Sequence, residues 1–173
     1  PQSHEEKNWL SASLPFVCGT FIAEDRQISL SSICMFSHEI SRDTLNQHLE
    51  VFPRQGEAWA IYSDWDIGWC NNPEMRKKSA FSVVEILTSY SEESGCTVAP
   101  LVKVGGFRSV FQRYMRSGRE QVLQVCSDNL LMFSHRIPLF RFTHEAGTVL
   151  ELEHSIVPEN LRHQSTLASV TPL

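Results

Sequence analysis

Residues 52–69 read Phe52-Pro53-Arg54-Gln55-Gly56-Glu57-Ala58-Trp59-Ala60-Ile61-Tyr62-Ser63-Asp64-Trp65-Asp66-Ile67-Gly68-Trp69. Three of the four tryptophans of the chain fall here, with Tyr62 beside them and Asp64 and Asp66 between them. Gly56 opens an apolar run that reads as a strand. In a strand, Trp59 and Ile61 face one side, and Ala60 and Tyr62 face the other. After Ser63 the chain becomes an acidic, aromatic loop. A ring face and a carboxylate both attract a cation, one through its quadrupole and the other through its charge. The stretch poses a binding question more than a catalytic one.

Outward from this strand, further strand-like pieces dominate. They lie at residues 15–22, 27–30, 81–87, 97–104, 109–113 and 121–126, rich in β-branched and aromatic residues with turn residues between them. Glu92-Glu93-Ser94-Gly95 reads as a turn, so its flanking strands form a hairpin. Gly105-Gly106 and Ser117-Gly118 mark two more turns. Ser127-Asp128-Asn129, ahead of Leu130 and Leu131, caps a single 3₁₀ turn. A short helix is expected over residues 41–49, stopped by Pro53. Residues 163–173 are polar and without periodicity, and read as a disordered tail. A strand, a hairpin, another strand, a one-turn helix and a final strand is the order of a small SH3-like barrel of the Tudor and PWWP kind. The expected fold is therefore mostly β with minor α.

The chain contains an internal echo. Met35-Phe36-Ser37-His38-Glu39-Ile40 returns as Met132-Phe133-Ser134-His135-Arg136-Ile137, identical at five of six positions. The period is too long for a solenoid. It implies two related units, with residues 1–50 as the C-terminal part of a first barrel-like unit and residues 51–162 as the second.

The 173 residues are 42% hydrophobic and 20% charged, a globular balance, and long enough to bury a core without staples. A net charge of -5 gives no counterion-release footprint for nucleic acid. The five cysteines are widely spaced with no Cys-x-x-Cys pair, which fits reduced thiols and neither a disulfide framework nor a zinc site. No apolar run reaches transmembrane length. Residues 1–8 are polar and lack a signal-peptide core. The absence of an initiating Met fits a piece of a larger protein.

These residues carry a family resemblance. Leu14-Pro15 with Cys18-Gly19-x-Phe21, the two Met-Phe-Ser-His runs, and Phe52-Pro53-Arg54-x-Gly56-Glu57-x-Trp59-Ala60-x-Tyr62 resemble the DUF3444 domain that follows the J domain in many plant DnaJ-like proteins. So do Val84-Glu85-Ile86-Leu87, Tyr90 to Gly95, Val98-Ala99-Pro100-Leu101-Val102-Lys103-Val104, Gly106-Phe107 and Ser109-Val110-Phe111-Gln112-Arg113. The resemblance spans residues 9–161 in consistent order. It implies a plant protein and a non-catalytic interaction domain, with family members linked to nuclear, chromatin-associated complexes. The family's earlier Gly-x-x-Trp-Ala-x-Tyr strand and the His-Pro-Asp loop of the J domain are not in this chain, so co-chaperone activity is not carried over.

Candidate chemistry centres on the opening stretch. Tyr62, Trp65 and Trp69 would wall an aromatic cage for a methylated ammonium, and Asp64 or Asp66 would supply charge. In the competing reading Trp59 and Tyr62 are core, and the loop tryptophans cover the end of the strand. Ser37-His38 and Ser134-His135 read as closing strands, with Phe inward and His bonding a neighbouring backbone, because adjacent strand side chains point to opposite faces. Cys18 reads as a small buried hydrophobe rather than a nucleophile. His144 and His154, with Glu145, Glu151 and Glu153, have poor spacing for zinc, so neither metal nor cofactor is expected. Val104-Gly105-Gly106-Phe107-Arg108 reads as a hairpin turn rather than a phosphate loop. Arg108, Arg113, Arg116 and Arg119 read as a solvated strand face rather than a nucleic-acid surface.

The expected function is non-enzymatic binding of a protein or peptide in a nuclear, chromatin-linked setting, with a methyl-lysine histone tail as the sharper form. The alternative is a cytoplasmic or nuclear scaffold domain of a co-chaperone that ignores lysine methylation.

Overall fold

The computed structural model describes residues 4–22, 48–77, 80–144 and 147–162. The strand expected at 27–30, the first Met-Phe-Ser-His run and the 163–173 tail lie outside these residues.

The fold is mostly β, as the sequence implies, with a main antiparallel sheet and a few short helices. The opening stretch supplies β3, Ala58–Tyr62, which is buried along its whole length. It pairs with β4, Phe81–Ile86, which pairs with β5, Cys96–Lys103. β9, Leu123–Val125, lies against the start of β5. A 3₁₀ segment, Ser127–Met132, then feeds β10, Phe133–Ile137, which returns to β3. The spatial order β10-β3-β4-β5-β9, with the 3₁₀ segment before the last strand in sequence, is the SH3-like connectivity.

The chain continues the sheet past that barrel. β6, Val110–Arg113, joins the far half of β5, and a small β7–β8 hairpin (Met115–Arg116 with Arg119–Glu120) projects beyond it. β12, Gly147–Leu152, pairs with β6, and β11, Leu139–His144, forms the outer edge of the resulting eight-stranded sheet. This last hairpin was not expected, although Leu139, Arg141 and the alternating Leu150 and Leu152 carry period 2. A short α-helix, Glu159–Arg162, follows. β1, Gly19–Ile22, pairs with β2, His48–Val51, as a separate two-stranded sheet. His48 and Leu49 are therefore strand where a helix was expected, because they stand opposite Ile22 and Phe21 in the antiparallel ladder.

Alternation along β3 divides the core. Trp59 and Ile61 enter one cluster with Val84, Ile86, Val98 and Phe133. Trp59 meets Phe133 edge to face at 5.6 Å, a favoured aromatic geometry. Ala58 and Ala60 face a second cluster with Phe111, Ile137, Leu150 and Leu152. Alanine on this side lets the layer beyond approach closely. Tyr62 belongs to a third cluster with Trp9, Leu14, Trp69 and Leu131.

Trp9 comes from α1, His4–Ser11, a helix concealed in the sequence because its residues are mostly polar and Trp9 is the one described as buried. Its indole N–H donates to the Pro15 carbonyl at 2.8 Å.

Charge fixes the layers to one another. Glu57 accepts from the Trp59 indole at 2.9 Å and from Arg136 at 2.7 Å. Glu85, 2% exposed on β4, accepts two bonds from Arg113 on β6 and one from Arg141 on β11. Arg113 is thus an internal partner and departs from the solvated face expected of it.

Candidate functional site: an acidic aromatic cavity

The loop after β3 folds back on the barrel instead of standing open. Asp66 ends the extended segment and caps a 3₁₀ turn, Ile67–Cys70, its Oδ1 accepting from the Gly68 N–H at 2.6 Å. A Cβ at residue 68 would lie 2.9 Å from that oxygen, so glycine permits the cap. The turn drives Trp69 inward against Tyr62, edge to face at 5.3 Å. Trp9 stacks on Trp69 from the other side at 6.2 Å, and Phe81 meets Tyr62 at 5.1 Å.

Tyr62 and Trp69 are therefore only 2% and 5% exposed. Their rings converge, but on the core and not on solvent. The structure thus places both rings in the core, Trp69 between Trp9 and Tyr62 and Tyr62 between Trp69 and Phe81, rather than on an open cage. Asp64 and Asp66 are exposed, and Asp66 acts as a cap.

Trp65 goes elsewhere. Half-buried, it touches the first and third clusters and forms part of the wall of a cavity of about 720 Å³. Its indole Nε1 is buried with no hydrogen-bond partner among the described residues. Such an orphan donor costs stability, and native structures keep few of them.

Across from the loop, Phe52 and Tyr90 contribute a stacked pair, centroids 5.1 Å apart and planes 5° from parallel. Phe16 adds a fourth aromatic wall, and Leu130 and Leu131 of the 3₁₀ segment line it further. The Tyr90 N–H donates to the Pro53 carbonyl at 2.9 Å, which pins the hairpin loop beside Phe52.

Glu6, Glu92 and Asp128 line the same cavity. Burial, then the charges of Glu92, Cys96, Glu6 and Asp128, hold the Tyr90 phenol above its ordinary range. Burial, the largest cause, disfavours any charge there, and only the carboxylates' share of the shift favours a cation in the same place.

The sequence signal for this set was present: Tyr90-Ser91-Glu92 repeats the aromatic–acid pattern of residues 62–69, and Phe52 lies inside the opening stretch. What could not be read was that these loops meet.

The other candidates resolve differently. Burial, then the charges of Cys96 and Glu57, pushes the Cys18 thiol far up, and burial alone pushes Cys96 up to about 11. Neither is a thiolate at neutral pH. His135 donates from Nε2 to the Ile156 carbonyl at 3.0 Å, as a closing strand would have it. Its Nδ1 then accepts from the Ser134 hydroxyl at 3.0 Å. That contact was not expected of strand neighbours, and a register shift between Phe133 and His135 makes it possible. Gly106, at φ +85°, turns β5 into β6. Among the described residues no group of three His, Cys, Asp or Glu side chains is placed to hold a metal, and no helix is long and apolar enough to cross a membrane.

No curated protein and no solved structure shows significant similarity to the chain. A family model described as "Domain of unknown function (DUF3444)" matches residues 1–146. With that match covering most of its length, and with the motifs of the barrel strands in order, the chain belongs to the DUF3444 family.

Proposed function

We propose that this domain is a non-catalytic binding module that takes the cationic side chain of a protein partner into the cavity between Trp65, Phe52 and Tyr90. The observation that carries the reading is the meeting of those rings with the Glu92 and Asp128 carboxylates in one cavity. Ring faces and negative charge together suit a methylated lysine, whose methyl groups lie against aromatic carbon while the charge is retained. A histone tail is the partner this favours. The resemblance to plant DnaJ-associated domains supports a nuclear, chromatin-linked setting. The cage differs from the one expected from sequence: Trp65 stays, while Phe52 and Tyr90 replace Tyr62 and Trp69, and Glu92 and Asp128 replace Asp64 and Asp66.

Titration with methylated and unmodified histone-tail peptides tests this. Methylated peptides bind more tightly, and Trp65→Ala weakens them about tenfold or more, within the range of a lost aromatic anchor. Equal binding of both forms, or none, removes the cage.

A second reading has its own observation. β11 is an outer edge strand that exposes Phe140 and Phe142, 69% and 51% accessible, on one face. Such an edge supports a scaffold that holds a partner by strand addition. It predicts that Trp65→Ala leaves partner binding intact.

A further inference from the structure

We infer that the cavity distinguishes methylation states, preferring mono- and dimethyl-lysine to trimethyl-lysine; the inference rests on the cation-binding reading above. Two kinds of wall meet there. Phe52, Trp65 and Tyr90 offer ring surface, whereas Glu92 and Asp128 offer carboxylates. Both carboxylates are exposed, and neither has a hydrogen bond or ion pair among the described residues. They are available as acceptors to whatever enters.

The three methylated head groups meet this pair of walls differently. A trimethylammonium has no N–H. It gains the attraction of the rings, but the carboxylates beside it lose water without gaining a donor. A dimethylammonium keeps one N–H, which donates a charge-assisted bond to Glu92 or Asp128 while its methyl groups lie on the rings. A monomethylammonium keeps two. The unmodified ammonium is strongly hydrated and has three donors, and ring faces do not replace its water. Size does not decide between them, because about 720 Å³ is far more than any of these head groups fills. Among the methylated forms donor count decides, and against the unmodified form its retained hydration does.

The whole chain is titrated with Nα-acetyl-lysine methylamide carrying zero, one, two or three Nε-methyl groups. Binding is followed at the Trp65 indole N–H by NMR, assigned through Trp65→Phe. The mono- and dimethyl probes bind about fivefold or more tighter than the trimethyl probe, a modest return for one charge-assisted bond partly open to water. The unmodified probe binds weakest. The double variant Glu92→Gln, Asp128→Asn changes only exposed side chains. It brings the three methylated probes to within about twofold of each other, because neutral acceptors forfeit the charge assistance. A trimethyl probe that binds as tightly as the dimethyl one overturns the preference and leaves the cation site standing. If no probe shifts the Trp65 signal, both the preference and the cation site fall.

Discussion

Trp65 and Trp69 lie in one loop and do opposite work. Trp69 closes the core between Trp9 and Tyr62, and Trp65 faces a cavity with an indole N–H left unpaired among the described residues. Single-residue environment, not residue type, separates an aromatic closed in the core from one on a cavity wall. His135 makes the same point for a titrating group. Burial lowers its pKa, opposed by its bond to the Ile156 carbonyl. The folded state thus holds the imidazole neutral, while the unfolded chain takes up a proton at the ordinary value of 6.5. The stability this contributes is complete above that value and is lost as pH falls below it. Urea unfolding at pH 7.5 and 5.5 should show the native chain losing more stability on acidification than His135→Gln, which keeps a donor for Ile156 but cannot titrate. An equal loss in both would place the dependence on other groups.

At the scale of elements, the loops are set by a few backbone positions. The hairpin between β4 and β5 turns at Ser91 to Gly95, where Gly95 adopts φ +68° and bonds Ser91 in both directions. A Cβ there would overlap the Val125 carbonyl on β9. Gly95→Ala combines a left-handed backbone with a clash against backbone, so a loss of about 2–4 kcal/mol is expected in denaturant unfolding. Because the same hairpin carries Tyr90 and Glu92, ligand binding should weaken with it. This turn was legible from Glu92-Glu93-Ser94-Gly95, since turn chemistry is local. The helix at His4–Ser11 was not, because one buried tryptophan makes no periodic stripe. The β11–β12 hairpin had a readable alternation, but its place on the sheet depends on β6 rather than on its sequence neighbours.

At the scale of the whole molecule, Glu85 ties the barrel to the strands added beyond it. Its carboxylate on β4 is 2% exposed and holds Arg113 of β6 and Arg141 of β11. Burial raises its pKa, but the bonds from Arg113 and Arg141 outweigh that and hold it below the ordinary value. Glu85→Gln puts a neutral amide between two guanidinium groups, leaving Arg113 its ion pair with Glu120 and Arg141 its contact with the Gly56 carbonyl. Since both arginines are partly exposed, the cost should be about 3 kcal/mol, the low end for breaking a buried pair, read as a lowered urea midpoint. An unchanged midpoint would mean that water already serves these arginines. The sequence by itself determined the mostly β class, the order of the barrel strands, the hairpin turns and the inward course of Trp59, because alternation, turn residues and β propensity act over a few neighbouring positions. It also marked aromatic–acid loops as the place to look for a ligand. Only the tertiary structure decided which loop residues form the cavity. Phe16, Phe52, Trp65, Tyr90 and Asp128 are far apart in sequence and meet because the segments flanking β1–β2, the loops after β3 and β4, and the 3₁₀ segment line one cavity. Barrel closure, with α1 packed over it, sent Tyr62 and Trp69 into the core, since a ring covered on both faces has no side left for a cation.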